Sequence, residues 1–200
     1  MKVRSHFLDN AWVYRIWQAP YAERKLRPML KHNDLSAIKR VLDVGCGPGT
    51  NAPHFDHADY LGIDINPEYV AWASRRYGDR FIVGDVCDSL PAIGGRFDFI
   101  LVNSFLHHVD TPDARQILSR LASLLTPGGH VHILELVMPP RLSVARVLAR
   151  ADRGDFPRPV GDWRTLFGEF FEPVVFEPYP LGALGVALWQ MVYFKGRRRA

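Results

Sequence analysis

The sequence predicts an α/β fold in which buried parallel strands alternate with helices, and three observations support this prediction. The first is an apolar run, Val41-Leu42-Asp43-Val44, that leads directly into a glycine-rich turn, as a central strand covered on both faces would. The second is a series of further apolar runs of strand length along the chain. The third is that helix-start sequences separate these runs, such as Asn66-Pro67-Glu68 and Thr111-Pro112-Asp113.

Composition predicts one ordinary globular domain over residues 1–200, because 48% of the residues are apolar and 23% are charged. The two cysteines, Cys46 and Cys87, have no spacing typical of a metal site or a disulfide scaffold, so no metal is expected. No run of about 18 apolar residues suggests a membrane span, and the first residues lack a continuous apolar stretch. We therefore expect a cytoplasmic location.

The elements follow from periodicity and from start and stop signals. Helical spacing is predicted at 10–18 and 21–31 before the sheet, and later at 68–77, 111–125, 142–151 and 162–167. Strands are predicted at 41–44, 60–65, 81–83, 97–102 and 130–137, with two β-rich segments at 173–179 and 186–195. The segment Leu125-Thr126-Pro127-Gly128-Gly129 is expected to end a helix and to form a turn that needs positive φ.

The glycine turn after the first strand is typical of a loop that holds a ligand, because glycine allows positive φ and close approach of the main chain. A tight turn without a ligand is the alternative. A dinucleotide fingerprint would place a small residue where Thr50 stands, which argues against NAD. The pattern Asp43-x-Gly45-x-Gly47-x-Gly49 instead resembles the first motif of class I S-adenosylmethionine (SAM)-dependent methyltransferases.

This resemblance assigns roles to residues at the ends of the next two strands. Asp64 follows the glycine motif by about 20 residues and is expected to accept hydrogen bonds from the ribose hydroxyls, although it also lies beside a helix start. Asp85 and Val86 stand where that family contacts adenine through an acid and the next main-chain N–H. Cys46, Ile65 and Asn103 are also assigned to the cofactor side.

The loop after the fourth strand contains Leu106-His107-His108-Val109, which resembles a segment of many small-molecule methyltransferases. Either histidine could accept a proton from a hydroxyl, amine or thiol acceptor at neutral pH. Adjacent side chains diverge, so at most one of them is expected to face the acceptor, and His108 is the first candidate. Glu135, near the end of the fifth strand, is a further candidate for contact with the acceptor.

The resemblance also implies an architecture. It is a doubly wound, mostly parallel sheet of seven strands, whose last strand runs antiparallel between its neighbours, with the SAM crevice at the switch between the first and fourth strands. Residues 1–39 would form a helical lid, in which Tyr14 and Trp17 could line the site. Residues 138–170 would form an insertion on the acceptor side, in which Arg153 and Arg158 could hold an acidic acceptor, or instead join internal salt bridges.

The expected function is transfer of a methyl group from SAM to a small-molecule acceptor, with the acceptor atom left open. Three alternatives remain: a SAM-binding protein that transfers no methyl group, a methyltransferase acting on RNA or protein, and an NAD-dependent oxidoreductase. Net charge is +4, and the only basic cluster, Arg197-Arg198-Arg199, is interpreted as a solvated tail. Nucleic acid is therefore not an expected partner.

Overall fold

A seven-stranded sheet forms the centre of the computed structural model, which describes residues 23–88, 93–151, 154–183 and 186–199. The strand order is β3-β2-β1-β4-β5-β7-β6. The strands are β1 (Arg40–Val44), β2 (Asp59–Asp64), β3 (Phe81–Val83), β4 (Phe97–Asn103), β5 (Leu125–Val137), β6 (Phe171–Ala183) and β7 (Val186–Arg198). The sheet has the predicted doubly wound arrangement, since order reverses between β1 and β4.

The described α-helices lie where helices are predicted, and the helix predicted at 10–18 lies outside the described residues. The described α-helical segments are α1 (23–31), α2 (Pro67–Tyr77), α3 (Thr111–Leu124), α4 (Val144–Ala151) and α5 (Val160–Phe170). Short 3-10 helices lie at Leu35–Ala37, Ala52–Phe55 and Leu106–His108. The insertion predicted between the fifth and sixth strands therefore contains α4 and α5. No helix among the described residues has the length and apolar character needed to cross a membrane.

Side chains alternate between the two faces of the parallel strands, and each face builds its own core. Leu42 and Val44 of β1 join a cluster that includes α3 and α5, whereas Val41 joins a cluster that contains Leu26 and Met29 of α1. β1 pairs in parallel with both β2 and β4, and β7 runs antiparallel between β5 and β6. The carboxyl ends of β1, β2, β3 and β4 consequently lie along one edge of the sheet.

The segment before the fifth strand differs from the prediction. Residues 125–129 belong to β5, and Gly128 and Gly129 are not among the glycines with positive φ. The pairing of β5 with β4 shifts between Phe97 and Phe99, so the extra residues form an irregularity in the strand. A Cβ on Gly129 would lie 2.7 Å from the main-chain oxygen of Phe97. The glycine is required there for close packing and not for a left-handed turn.

The two ends of the chain differ in how they relate to the predictions made for them. Tyr14 and Trp17 lie outside the described residues, so their predicted place in a lid has no structural description here. The described part of the N-terminal segment, α1, packs on the sheet through Leu26 and Met29, both buried. At the other end, Arg197 and Arg198 are exposed, as predicted, but they belong to β7 and not to a tail, and Arg197 pairs with Glu172.

Candidate functional site

The glycine turn follows β1 at the carboxyl edge of the sheet. Gly45, Gly47 and Gly49 have φ values of 67°, 53° and 75°, which lie in the left-handed region that glycine tolerates. A Cβ on Gly45 would lie 2.9 Å from the ring of Phe105, whereas a Cβ on Gly47 would have no atom within 4 Å. The turn is therefore closed at Gly45 and open at Gly47, where a ligand can approach the main chain.

Asp43 is fully buried at the base of this turn. Its Oδ2 accepts a hydrogen bond from Asn51 Nδ2 at 3.0 Å, which ties the two ends of the turn together, and one from the hydroxyl of Tyr60 in β2 at 2.6 Å. Its Oδ1 has no partner among the described residues. Burial raises the pKa of Asp43 to about 6, against the two hydrogen bonds and with the help of the Asp64 charge. At neutral pH Asp43 is thus a buried carboxylate whose Oδ1 lacks a donor among the described residues.

Asp64, at the end of β2, holds the turn from the other side. Its Oδ2 accepts a hydrogen bond from the N–H of Gly47 and its Oδ1 one from the N–H of Asn66, both at 2.8 Å. Burial raises the pKa of this carboxyl, although both main-chain hydrogen bonds lower it. Each carboxylate oxygen can accept more than one hydrogen bond, so Asp64 retains capacity for ligand hydroxyls.

The electrostatics of this crevice are acidic. Burial, followed by the charges of Asp43 and Asp64, raises the pKa of the Cys46 thiol and keeps it protonated. Among the described residues, no basic side chain contributes to the pKa shift of either acid. A crevice with two carboxylates favours positively charged ligands over phosphates.

The ends of β2 and β3 add apolar surface and a third acid. Ile65 is 45% exposed and Val83 is 53% exposed, so both offer apolar surface at this edge. In the next loop, Asp85 accepts a hydrogen bond from the N–H of Cys87 at 2.8 Å, and the side chain of Val86 packs in the core. These residues lie along the same edge as Asp64, since β2 and β3 are parallel neighbours.

Asn103 closes the crevice at the end of β4. Its Nδ2 donates to Asn51 Oδ1 at 3.1 Å, while its Oδ1 is a second buried oxygen without a partner among the described residues. Ser104 follows with a φ of 55°, and it is the only described residue other than glycine that has a positive φ. This left-handed residue redirects the chain, so that the ring of Phe105 lies against Gly45.

The two histidines of the next loop are in different environments. His107 is 3% exposed, and its Nδ1 lies 2.7 Å from Oε2 of the fully buried Glu135. His108 is half-buried, with its ring centroid 4.2 Å from that of His107. Burial raises the pKa of Glu135, but the charge and hydrogen bond of His107 and the N–H groups of Leu106 and Phe105 bring it below its ordinary value. His107 is thus engaged with Glu135, and His108 stays the candidate base.

Arg158 has a different place from the one predicted. It is 8% exposed, and its Nη1 and Nη2 donate to the main-chain oxygens of Leu106 and Val109 at 3.0 and 2.9 Å. Its guanidinium also lies 4.8 Å from the centroid of the Trp163 ring. These contacts commit the side chain to the loop after β4, so it does not serve the acidic acceptor assigned to it from sequence. Arg153, its predicted companion, lies outside the described residues.

A cavity of about 340 Å³ lies beside this loop. It borders the site because Gly154 packs on His107, so closely that a Cβ there would overlap the imidazole. Its lining includes one cation and one anion. The lining residues are Met138, Arg150, Gly154, Asp155 and Pro157.

Sequence reasoning missed Asn51 and Arg150 and gave Glu135 a contact with the acceptor. The structure instead buries Glu135 under the loop after β4. A usable signal was present, since Glu135 is the only charged residue in the apolar run from Val131 to Val137 apart from the ionisable His132. A lone charge in a buried strand requires a partner.

Comparison with known proteins agrees with this geometry. Residues 41–129 match the family model described as a methyltransferase domain. An uncharacterized methyltransferase of Mycobacterium tuberculosis is 36% identical over 105 residues, which are 50% of this chain and 51% of that protein. The chain thus spans about half the length of such a curated relative. Trans-aconitate 2-methyltransferase of Methylobacterium radiotolerans is 29% identical over 189 residues, 86% of this chain and 69% of that protein.

Solved structures share the fold over nearly the whole chain. The N-methyltransferase NodS of Bradyrhizobium japonicum, crystallised with S-adenosyl-L-homocysteine, superposes with a TM-score of 0.73 at 19% identity and covers 96% of this chain and 94% of that chain. Human N-acetylserotonin methyltransferase, in complex with SAM, superposes with a TM-score of 0.69 at 20% identity. The match covers 93% of this chain and 55% of that chain. Residues 41–129 are thus similar to a methyltransferase domain, and the described chain has the fold of these two methyltransferases.

Proposed function

We propose that this chain transfers a methyl group from SAM to a small-molecule acceptor. The acidic crevice carries this proposal, because Asp43 and Asp64 flank a glycine turn that is open at Gly47. SAM has a sulfonium and an ammonium group, so it brings both positive charge and N–H donors to these carboxylates. A dinucleotide would bring a negatively charged pyrophosphate to the same place, which disfavours NAD.

Each part of the cofactor has residues that suit it. The unpaired oxygens of Asp43 and Asn103 suit the ammonium end, because buried acceptors require donors. Asp64 suits the ribose hydroxyls, as the sequence predicted. Asp85 and the main chain of Val86 suit the polar edge of adenine, and the exposed side chain of Ile65 suits its apolar face.

When bound, SAM supplies an activated methyl group that an acceptor atom can take by in-line displacement of the sulfonium sulfur. The contribution of the protein is alignment, for which the upper range of such effects is about 7–11 kcal/mol. We assign removal of a proton from a hydroxyl or amine acceptor to His108, because His107 is hydrogen-bonded to Glu135.

The acceptor we propose is a small anion. The cavity beside His107 is lined by Arg150, for which the described part of the chain provides no hydrogen bond or ion pair. Residues 138–158 contain five arginines and two aspartates, so the surrounding charge favours an acid. Two relatives, from Methylobacterium radiotolerans and Variovorax paradoxus, are named for trans-aconitate, a small acid. An RNA acceptor gains no support, since Arg197 is paired with Glu172.

The test is incubation of the purified chain with methyl-labelled SAM and a panel of small carboxylic acids, phenols, amines and RNA. We expect label in a small acid and release of S-adenosylhomocysteine. SAM binding without transfer to any member would support the alternative of a SAM-binding protein that does not methylate, and transfer to RNA alone would contradict the proposed acceptor class.

The anionic site has its own test in Arg150→Gln. We expect KM for the acid to rise about tenfold or more while the affinity for SAM stays unchanged, because a charge-assisted hydrogen bond to the acceptor is lost. Arg141→Gln is the matched control, since Arg141 is exposed in the same insertion but borders a different cavity. Equal KM values in the two variants would contradict the assignment of Arg150.

A further inference from the structure

Glu135 is a buried charge, and the proposed chemistry does not require it to contact SAM or the acceptor. It lies on β5 with 0% exposure, between Leu134 and Leu136, which are also buried. A carboxylate in such a place is costly unless hydrogen bonds and an opposite charge compensate it. Its partners therefore show what it contributes.

All four of those partners are donors, and three belong to one loop. Oε1 accepts hydrogen bonds from the N–H groups of Phe105 and Leu106 at 2.8 and 2.6 Å, and Oε2 from Nδ1 of His107 at 2.7 Å. The fourth donor is the N–H of Leu136, at 3.3 Å. Three consecutive residues of the β4–α3 loop, which we define as residues 104–110, are thus fixed to one carboxylate.

Arg158 holds the same loop through the main-chain carbonyl groups of the loop. The main-chain oxygen of Leu106 accepts from Nη1 at 3.0 Å, and that of Val109 accepts from Nη2 at 2.9 Å. The charges are coupled, since Glu135 raises the pKa of Arg158 against the lowering effect of burial. The β4–α3 loop is therefore clamped by an anion on its N–H side and a cation on its carbonyl side.

The clamped loop carries the groups that face the proposed reaction. Ser104, at its start, has the left-handed φ of 55° that an L-residue adopts at a cost. Phe105 lies against Gly45 of the cofactor turn, and His108 directly follows His107, the last loop residue that Glu135 holds. Displacement of this loop would move both the support of the turn and the candidate base.

We infer that Glu135 is a positioning residue for methyl transfer, acting through the β4–α3 loop with Arg158 as its counterpart; this inference rests on the proposed function. Glu135 touches neither SAM nor the acceptor. It sets where Phe105 and His108 stand, and misplacement by about 1 Å can reduce a rate about a hundredfold.

The test compares two Glu–His pairs of equal length in the same chain. Glu135→Gln removes the charge under the loop, and Glu177→Gln removes it from the pair that Glu177 makes with His32, also at 2.7 Å but partly exposed. We expect kcat per SAM-binding site, measured well below the melting temperature, to fall about tenfold or more in the first variant and less than about twofold in the second. A merely structural role would lower the melting temperature and leave kcat per bound site unchanged, which would overturn the inference.

A second pair of variants keeps the test decisive if Glu135→Gln does not fold. His107→Gln retains an N–H donor for Glu135, and His107→Leu does not. We expect kcat in the first variant to exceed kcat in the second about tenfold or more. Equal kcat values would overturn the inference while leaving the proposed function intact, whereas a wild-type chain that binds no SAM would overturn both.

Discussion

Two carboxylates, Asp43 on β1 and Glu135 on β5, are both fully buried, yet their surroundings differ. Asp43 has two donors on one oxygen and none on the other among the described residues, and its pKa is raised to about 6. Glu135 has donors on both oxygens, and its pKa is lowered despite burial. One carboxylate lies in the proposed cofactor crevice, and the other lies beneath the loop that carries the candidate base.

The difference in hydrogen bonding distinguishes a residue of the proposed binding site, Asp43, from a residue that supports the site, Glu135. A buried carboxylate whose hydrogen bonds are complete stabilises the fold around it, whereas one that lacks a donor destabilises the free protein and gains when a ligand supplies the donor. We therefore expect Glu135 to contribute to stability and Asp43 to be costly for stability and useful for binding. Changes at the two positions should have opposite signs.

Removal of the Glu135 carboxylate should produce the largest loss of stability. Glu135→Ala leaves His107 and the N–H groups of Phe105 and Leu106 buried without their acceptor, so the free energy of unfolding should fall by about 3–5 kcal/mol. Chemical denaturation at neutral pH measures this. A loss below about 1 kcal/mol, the range of an exposed pair, would show that Glu135 is not the anchor of the loop.

Asp43→Asn should have a smaller effect of the opposite sign. A carboxyl whose folded pKa of about 6 exceeds its ordinary 3.8 is harder to ionise in the fold. The neutral amide should therefore raise the free energy of unfolding by about 1–2 kcal/mol at neutral pH. The same denaturation experiment measures the gain. A destabilised variant would mean that the charge of Asp43 is compensated in the free protein, and the contrast with Glu135 would fail.

The pH dependence of stability offers the finest test. On acidification, the folded state binds a proton at Asp43 at a higher pH than the unfolded state does. The contribution of Asp43 to stability therefore falls as pH rises from about 4 to about 6. The fully buried His132 has a pKa well below its ordinary 6.5, because of burial and the charge of Lys195, so its contribution falls as pH drops below 6.5. The two oppose each other in wild type. Loss of stability on acidification should thus be steeper in Asp43→Asn, and equal slopes would contradict the raised pKa of Asp43.

The same contrast explains what the sequence could predict. Apolar runs and helix starts predicted the succession of strands and helices along the chain, and the resemblance to class I SAM-dependent methyltransferases implied that Asp43, Asp64 and Asp85 follow neighbouring strands. The structure brings these acids to one edge, as expected. The periodicity of apolar residues is a local property of the sequence, so it can be recognised in one sequence alone.

The direction of a side chain within a loop, in contrast, depends on residues that are distant in the sequence. His107 and His108 are equivalent in the sequence, and only the contact of His107 with Glu135, 28 residues away, distinguishes them. Arg158 was predicted for the acceptor because arginine suits acids, but the carbonyl groups of Leu106 and Val109 occupy it instead. Such choices depend on long-range packing, which spacing does not reveal.

The central claim is that the crevice around Asp43 binds a cationic nucleoside, and calorimetric titration of SAM into wild type and Asp43→Asn at neutral pH tests it most directly. Wild type should bind SAM, and the variant should bind it about tenfold or more weakly, because a charge-assisted interaction of about 1.5–3 kcal/mol is removed while the fold is retained. Equal affinity in both proteins, or no binding by wild type, would contradict the account.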